Sequence, residues 1–473
     1  MSKTITLNSG QQSVLEAFKA FVSDNSHRVF ILKGYAGTGK TTLVRFILDY
    51  LRGRKLRYKL LAPTGRAAKI LSDLSSSEAS TIHSHIYVLD DFNQDVDEVL
   101  KLYFKGRYPK EDLLLRFRSK VFDNKEVNHL YIVDEASMVS DKRSNTISQA
   151  IFGQGRVLKD LITYAPHSQF LFVGDECQLP PVGQNISPAL SVEYFHNEFG
   201  LSAVEYRLTD IVRQEADNGI VHVAHKVREM VEHPPKEVWA KLPLRNNKDI
   251  TIHPDLHSLR TDYFQSIRNG DFKRTTYIAS SNKSCFETNW MIRNTLGLSS
   301  LRESELLMVN QNNLITGLLN GDLVQVAQVG QAREQCAQLT FLPVEVRRIT
   351  DGSLHKILLV EDMLYGRYPN LTSSQQKTLY IDFFKRLHKR GIKKKSEEFK
   401  EELRNDPYLN ALRATFGYAL TCHKSQGGEW EEVFLEINRG QIRMPNDGTY
   451  KWLYTGITRA QKRLHVADDF YLE

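Results

Sequence analysis

A glycine-rich loop between an apolar segment and a helical pattern restricts the fold of this chain more than any other feature. The segment 28–33 has the composition of a buried strand, and the helical pattern begins at Thr41. The residues from Gly34 onward fit GxxxxGK[ST] in full, a pattern whose glycines let backbone N–H groups wrap around phosphates. It predicts a nucleoside triphosphate site in which Lys40 reaches the β and γ phosphates and Thr41 holds Mg²⁺. The predicted nucleotide-binding residues of the loop are Gly34, Ala36, Gly37, Thr38, Gly39, Lys40, Thr41 and Thr42.

Strand-like and helix-like segments alternate on both sides of this loop. In the first 200 residues, short apolar strands are predicted at 58–63, 129–134 and 169–174. A second series begins at 275–280, resumes at 414–418 and ends with 463–467. Strands that alternate with helices indicate βαβ units and therefore parallel sheets.

The fold class predicted from this alternation is α/β, with two units that are each interrupted by an insertion. At roughly 150 residues per domain, 473 residues suit about three structural units. The predicted boundaries are residues 1–85 and 129–205 for the first unit, 86–128 for its insertion, 206–329 and 411–473 for the second unit, and 330–410 for the second insertion.

Composition excludes several classes of protein. No apolar run approaches the roughly 18 residues that a membrane span needs, so no membrane partner is expected. The four cysteines are scattered and form no CxxC pair, which argues against zinc modules and disulfide scaffolds. With no apolar signal core at the start, we expect a cytoplasmic protein. The net charge of +7 suits a polyanionic partner and equally an ordinary basic protein.

Two acidic residues end one of the predicted strands. Asp134 and Glu135 follow the apolar segment 130–133. In a unit that carries a phosphate loop, this pair suits Mg²⁺ coordination by Asp134 and orientation or deprotonation of a water by Glu135. The alternative is a pair of surface acids at a strand end.

The stretch 174–183 follows another predicted strand. It is interpreted either as a sensor of the γ phosphate or as a loop with solvated acids.

Nine motifs in a fixed order give the chain a family resemblance. It resembles a superfamily 1 helicase of the RecD/Dda-like branch, which moves 5′ to 3′, over nearly its whole length. The matching motifs are Gly34–Thr42, Ala62–Lys69, Thr81–His83, Asp134–Ser137, Gly174–Gly183, Leu208–Gln214, Asn320–Asp322, Thr421–Gly427 and Tyr454–Ala460.

The resemblance implies two tandem RecA-like domains that clamp ATP between them, with two inserted subdomains, the second a small SH3-like β barrel. It implies that Gln11 reads the adenine edge and that Gln178 contacts the γ phosphate. Arg213 and Arg459 would be arginine fingers from the second domain, and Glu429 would sit near the sugar or the γ phosphate. The alternative for each arginine is an exposed side chain in an ion pair.

A nucleic-acid track is predicted on the same domains. Thr64, Gly65 and Arg66 follow a strand and open a helix, where N–H groups and a hydroxyl can face a backbone phosphate. The resemblance adds Thr81, His83 and His85 in the first domain and Thr421, His423 and Lys424 in the second. The alternative for each of these histidines is a core or surface residue without a ligand.

The first insertion also contains candidate strand-separating residues. Related helicases carry a pin in this insertion that splits the duplex, and Phe104 or Tyr108 could act as its wedge. The equally good alternative is a small hydrophobic cluster under a loop. The basic run 385–395 is either a grip on nucleic acid or a solvated helix face diluted by the acids that follow it.

The resemblance leads us to expect ATP-dependent 5′ to 3′ translocation on single-stranded DNA and unwinding at duplex–single-strand junctions. We expect the protein to act as a monomer and to be associated with the nucleoid when it is bound to DNA. RNA is not excluded, since phosphate and stacking contacts do not distinguish the sugar. An RNA or RNA–DNA helicase is therefore one alternative, and an ATPase that remodels protein–DNA complexes without unwinding is another. A nucleotide switch without turnover is disfavoured by Glu135, Arg213 and Arg459 together.

Overall fold

The structure is a computed structural model, and it describes residues 6–24, 26–107, 111–121, 129–143, 150–210, 218–268, 272–394 and 396–473. The helices and strands of the first half are α1 (Ser9–Ser23), β1 (Val29–Gly34), α2 (Lys40–Gly53), β2 (Tyr58–Ala62), α3 (Gly65–Ser75), β3 (Ala79–Thr81), α4 (Ile82–Ile86), β4 (Tyr87–Phe92), α5 (Val96–Phe104), β5 (Leu115–Ser119), β6 (Leu130–Val133), β7 (Ala150–Phe152), α6 (Val157–Tyr164), β8 (Gln169–Gly174), α7 (Val192–Phe199) and β9 (Ala203–Leu208).

The helices and strands of the second half are α8 (Gly219–Glu232), β10 (Ile250–His253), α9 (Leu256–Arg268), β11 (Thr275–Ala279), α10 (Asn282–Thr295), β12 (Leu306–Val309), β13 (Leu323–Val329), β14 (Glu334–Cys336), β15 (Leu339–Arg348), β16 (Leu354–Val360), α11 (Glu361–Tyr365), α12 (Ser373–Lys389), α13 (Glu397–Asn405), β17 (Ala414–Phe416), β18 (Ala419–Thr421), α14 (Cys422–Ser425), β19 (Trp430–Leu435), α15 (Arg439–Ile442), α16 (Asp447–Ile457) and β20 (Ala460–Ala467). None of the helices in the described ranges has both the length and the apolar character needed to cross a bilayer.

The first domain is built on a parallel sheet with strand order β3-β2-β6-β8-β1-β9. Strand β1 is buried along its whole length because helices cover both faces of the sheet. Val29 and Ile31 belong to the hydrophobic core on one face, and Phe30 and Leu32 belong to the core on the other. This alternation is what a two-residue side-chain period produces in a central strand.

The second domain repeats the plan with a parallel sheet in the order β10-β20-β19-β11-β18. Its strand β11 is also buried throughout. The predicted α/β class, with two tandem RecA-like domains, is confirmed by this pair of sheets.

A smaller antiparallel sheet is inserted in the second domain. Its strands run in the order β14-β15-β13-β12-β17, with β16 on the other side of β15. A bridge between Leu359 and Leu412 joins the end of β16 to the chain just before β17, so the ring of paired strands closes. The predicted boundary at residue 330 assigns β12 and β13 to the second domain, whereas the structure pairs both within this sheet. The boundary and the SH3-like barrel stay predictions.

The two inserted segments contact each other. In the first, β4 pairs with β5, and β5 pairs with β7, which lies beyond the predicted boundary at residue 128. The ring of Phe92 packs edge-on against Tyr380 and Phe384 of α12, with ring centroids 5.0 and 4.9 Å apart. Lys394 and Asp95 add an ion pair of 3.0 Å. The insertion of the first domain is therefore held against the helices of the second insertion.

Candidate nucleotide site and nucleic-acid track

The phosphate loop connects β1 to α2, and its glycines are required by its shape. Gly37 and Gly39 have φ values of 77° and 75°, in the left-handed region that favours glycine. A Cβ atom on Gly34 would lie 2.8 Å from both the Cγ of Lys40 and the Oγ1 of Thr38. The loop is therefore a cradle of backbone at the N-terminus of a helix, which suits phosphate.

The predicted nucleotide-binding side chains lie around this cradle. Lys40 donates from Nζ to the carbonyl oxygens of Gly34 at 2.7 Å and Tyr35 at 3.0 Å. Thr41 and Thr42 occupy the first turn of α2. Buried Gln11 donates from Nε2 to the carbonyl oxygen of Thr38 at 3.1 Å, which places its amide against the loop. Their roles toward nucleotide and Mg²⁺ stay predictions that this arrangement fits.

Two carboxyl groups stand beside the cradle, where β6 ends. Asp134 accepts a hydrogen bond of 2.9 Å through Oδ1 from the N–H of Glu135. Glu135 has a φ of 50°, a strained conformation for a residue with a side chain. Burial raises the pKa of both carboxyls, and the charge of Asp134 raises the pKa of Glu135 further, while Lys40 and Arg459 act in the opposite direction. A carboxylate of raised basicity suits proton removal from water.

Arg459 brings the second domain to these carboxyl groups. It lies in the turn between α16 and β20 and is only 4% exposed. Its guanidinium is fixed by the carbonyl oxygens of Thr455 and Gly428, at 3.0 and 3.1 Å, and by the hydroxyl of Thr458 at 3.2 Å. The alternative of an exposed arginine in an ion pair is thus not what the structure shows at Arg459. Arg213, the other predicted finger, lies outside the described residues.

The loop after β8 spans the cleft between the domains. The side chain of Gln178 is buried, and its Oε1 has no hydrogen-bond partner among the described residues. The next residue, Leu179, donates its N–H to Thr455 Oγ1 at 2.9 Å and accepts from Gln426 Nε2 at 3.1 Å through its carbonyl oxygen. The residue after the predicted γ-phosphate sensor is therefore tied to the second domain through both its N–H and its carbonyl oxygen.

Tyr454 is a site residue that the sequence reasoning missed. Its hydroxyl accepts a hydrogen bond from the N–H of Ala36 at 2.9 Å and donates to Asp175 Oδ2 at 2.7 Å. Burial raises the pKa of this hydroxyl well above its usual value. One side chain of α16 thus joins the phosphate loop to the end of β8. The available signal was its position five residues before Arg459 in the same motif.

A second contact reaches the phosphate loop from α8. Tyr35 donates its hydroxyl to Glu232 at 2.8 Å and accepts from Arg207 at 2.7 Å. The guanidinium of Arg228 lies 4.2 Å from the centre of the Tyr35 ring. By contrast, Glu429 is exposed and accepts a hydrogen bond from Gln461 at 2.9 Å; its predicted contact with nucleotide stays a prediction.

Three threonines of the predicted nucleic-acid track occupy equivalent positions. Thr64, Thr81 and Thr421 each lie at the carboxyl end of a parallel strand and cap the next helix through Oγ1. In open parallel sheets, ligands bind outside these carboxyl ends. Thr81 and Thr421 end the edge strands β3 and β18 of the two sheets, so the two domains present a matching site at the same place.

Gly65 and Arg66 lie at the contact between the domains. A Cβ on Gly65 would come within 2.5–2.8 Å of the Leu319 side chain. The guanidinium of Arg66 stacks 4.5 Å from the ring centre of Trp430, and burial lowers its pKa to about 10. Their predicted contacts with nucleic acid stay predictions, and the stacking of Arg66 across the cleft was not anticipated.

The histidines and Lys424 differ in their surroundings. His83 packs 5.0 Å from the ring of Phe152, and His85 packs edge-on against Tyr131, an arrangement typical of structural histidines. His423 is exposed beside Lys424. Lys424 donates from Nζ to Asn310 Oδ1 at 2.7 Å, and burial lowers its pKa to about 8. All four stay predicted contacts, with the surroundings favouring the second-domain pair.

Of the two candidate pin residues, Phe104 is described and Tyr108 lies outside the described residues. Phe104 ends α5 and is 61% exposed. Its ring centre lies 6.2 Å from that of His388 on α12. The alternative of a buried cluster under a loop therefore does not apply to this side chain, and its role in strand separation stays a prediction.

Comparisons with known proteins agree with the order of the motifs. Residues 6–238 match the model of a family described as AAA domain, and residues 416–467 match that of the UvrD-like helicase C-terminal domain. The chain is 25% identical over 469 residues to the ATP-dependent RecD2 DNA helicase of Deinococcus radiodurans, covering 98% of this chain and 49% of that protein. It is 28% identical over 485 residues to the ATP-dependent DNA helicase dda of Enterobacteria phage T4, covering 96% and 98%.

A solved structure shows the same fold. The Pif1 helicase from Bacteroides, in complex with ADP-AlF3 and ssDNA, has a TM-score of 0.50 at 16% identity, over 99% of this chain and 93% of that one. The chain spans about half the length of the RecD2 relative. The two matching family models, the two relatives and the paired RecA-like sheets thus support the predicted resemblance to the superfamily 1 helicases of the RecD/Dda/Pif1-like group.

Proposed function

We propose that the protein is an ATP-dependent motor that moves 5′ to 3′ along single-stranded DNA and unwinds duplexes ahead of it. The observation that carries this proposal is the composite site in the cleft. Lys40, Asp134 and Glu135 come from the first domain, and Arg459 comes from the second. A site divided in this way is complete only when the domains close, so its chemistry can be converted into domain movement.

The residues of the cleft fit ATP and Mg²⁺. The glycine cradle and Lys40 would hold the phosphates, and Thr41 and Asp134 would hold the metal ion. When bound, Mg²⁺ neutralises phosphate charge. Glu135 would accept the proton of the attacking water, and Arg459 would stabilise the negative charge that develops on the γ phosphate.

The contacts of Leu179 offer a route from this site to the strand. Gln426, which holds its carbonyl oxygen, follows directly after α14, the helix that Thr421 caps. A shift of the loop at Gln178 would therefore move the threonine end of β18. This short connection supports coupling between the nucleotide and the strand.

DNA is the proposed polymer because the RecD2 and dda relatives are both named ATP-dependent DNA helicases. The word helicase in both names supports duplex unwinding, and we propose that it takes place at junctions between duplex and single strand. The RNA alternative is kept for the test, since the described threonine caps would face a phosphate of either polymer. Action as a monomer, a cytoplasmic location and nucleoid association stay predictions.

Tailed duplexes test direction and unwinding together. The full chain is mixed with ATP, Mg²⁺ and a labelled duplex that carries a single-stranded tail at either the 5′ or the 3′ end. We expect strand release only from the 5′-tailed substrate, and none with Lys40→Ala, which should keep measurable strand binding. Release from the 3′-tailed substrate alone would contradict the polarity, and ATP turnover without release from either would favour the remodelling alternative.

A further inference from the structure

An open cleft lies beside the strand track of the second domain. One wall is α10, the other is the segment 366–369 between α11 and α12, and the floor is formed by β12, β17 and β18. We call it the aromatic cleft, and the lining residues used below are Phe286, Trp290, Arg367, Tyr368, Thr421 and Lys424.

The cleft takes its name from its aromatic lining, in which Trp290 and Tyr368 are exposed, Phe286 is half-buried and Phe416 is buried. Phe286 and Trp290 stand one turn apart on α10, with their rings nearly parallel at 10° and their centroids 6.2 Å apart. Trp290 is 39% exposed, and Tyr368, on the opposite wall, is 71% exposed. Large rings exposed on two walls of one cleft suit a flat, apolar ligand that inserts between or against them.

The charge of the cleft selects among such ligands. Among the described residues that line it, the charged side chains are Arg367 and Lys424, and both are cations. No carboxylate is found among these described lining residues. A planar group that is attached to an anion fits this combination, whereas a cationic or purely apolar ligand leaves the two charges without a counterpart.

The position of the cleft identifies the anion. Thr421 and Lys424 line the cleft and also belong to the predicted strand track at the end of β18. A phosphate held at this threonine cap would leave its own sugar and base within reach of the aromatic walls. Sequence-independent binding of single strands uses this combination of a basic groove and stacking side chains.

We propose that the aromatic cleft receives an unpaired nucleobase of the bound strand, stacked on Trp290 and covered by Tyr368, while its phosphate faces Lys424. The proposal rests on the proposed function, because it requires a single strand to cross the end of β18. It adds a base-binding site to a track that otherwise consists of phosphate contacts. Because every base has a π face, such a site would hold the strand without reading its sequence.

Equilibrium binding tests the proposal. The full chain is titrated against a labelled oligothymidylate about 15 nucleotides long, without ATP, and the anisotropy gives Kd. We expect Trp290→Ala and Tyr368→Ala each to raise Kd about tenfold, as removal of one stacking partner does. Trp290→Phe keeps an aromatic ring, so its Kd should stay close to that of the wild type. Such a result would show that the higher Kd of Trp290→Ala comes from loss of stacking and not from misfolding. Phe470→Ala is the matched control, since Phe470 is an exposed ring of the same domain outside the cleft.

A second strand separates base contacts from phosphate contacts. An oligomer of the same length with abasic sites keeps the phosphates and lacks the bases. The preference of the wild type for the oligothymidylate should shrink in Trp290→Ala and be unchanged in Phe470→Ala. If the wild type binds the oligothymidylate and the alanine variants bind it equally tightly, the cleft proposal is overturned and the proposed function is not. A wild type that binds no single strand would overturn the proposed function, and the cleft proposal with it.

Discussion

Arg459 lies in the turn before β20 and Arg463 lies four residues later within that strand, and their surroundings are opposite. Arg459 is buried, held by two carbonyl oxygens, and faces the carboxyl groups of the first domain. Arg463 is exposed and donates only to Thr251 at 3.3 Å, within its own domain, among the bonds described. One arginine therefore lies inside the composite site and the other lies outside it, so Arg463 is a matched control for Arg459.

Arg459→Ala is expected to lower the kcat of ATP hydrolysis by about a thousandfold, because a positive charge that stabilises the departing phosphate acts mainly in the transition state. The KM for ATP should change only a few-fold. Steady-state kinetics with saturating single-stranded DNA measure both constants, and Arg463→Ala serves as the control that keeps the wild-type values. Normal turnover by Arg459→Ala would show that the two-domain site is drawn incorrectly.

Lys424 gives the strand track a dependence on pH. Burial lowers its pKa to about 8, so its charge is present at neutral pH and is lost as the pH rises through that value. Affinity for single-stranded DNA should therefore fall between about pH 7 and pH 9, and the salt dependence should weaken by about one phosphate contact. Lys424→Arg should abolish the fall, since arginine stays charged. An equal fall in both proteins would assign the titration to another group.

At the scale of elements, both sheets end an edge strand in the same way. In the first domain β3 leads through Thr81 into α4, and in the second β18 leads through Thr421 into α14. A histidine stands two residues after each threonine. The second copy differs because Gln426, directly after α14, reaches across the cleft to Leu179. Only the second copy is thus connected, within the described residues, to the loop of the γ-phosphate sensor.

Gln426→Leu tests that connection. The leucine fills similar space but cannot donate to the carbonyl oxygen of Leu179, so movement of the loop should no longer be passed to α14. We expect the ratio of DNA-stimulated to unstimulated ATP turnover to fall about tenfold, a coupling loss of about 1.4 kcal/mol. Gln461→Leu removes an amide contact within the second domain and should keep the ratio. An unchanged ratio in Gln426→Leu would place the coupling elsewhere.

At the scale of the whole molecule, a buried pair of histidines ties the stability of the second domain to pH. His253 Nε2 and His465 Nδ1 are 3.0 Å apart in a hydrogen bond that requires one of these nitrogens to be unprotonated. Burial, and then the charge of His253, lower the pKa of His465 to about 3. Other groups facing the pair are Asp262, 3.2 Å from His253, Glu432, 3.6 Å from His465, and Arg463.

In the unfolded chain His465 has a pKa of about 6.5, so below that pH the unfolded state binds a proton that the folded state resists. The free energy of unfolding therefore decreases as the pH falls through about 6.5. Lowering the pH from about 7.5 to about 5.5 should decrease the free energy of unfolding by about 1 kcal/mol through this residue, which would be seen as a lower melting temperature. His465→Phe keeps the stacking on Phe434 and should reduce this acid loss. His167→Phe, at an exposed position, should leave it unchanged. Equal acid losses in both variants would contradict the assignment.

The features that can be predicted from the sequence are those that depend on short stretches of chain. The phosphate loop, Asp134, Glu135 and both parallel sheets are predictable because each depends on a local pattern of about ten residues. The stacking of Arg66 on Trp430 and the bond between Tyr454 and Ala36 depend on how two domains meet, and neither partner carries a local signal of the other. Likewise, the apolar pattern of β13 is typical of a strand but does not indicate which sheet the strand joins.

ATP hydrolysis in the cleft is expected to depend on a strand bound across both domains. This dependence is tested by steady-state ATP hydrolysis without polymer, with single-stranded DNA, and with single-stranded RNA of the same sequence. We predict strong stimulation by DNA and little by RNA. Equal stimulation by RNA would support the RNA helicase alternative. The absence of stimulation by either polymer would contradict the account, because the cleft would then turn over ATP independently of the strand.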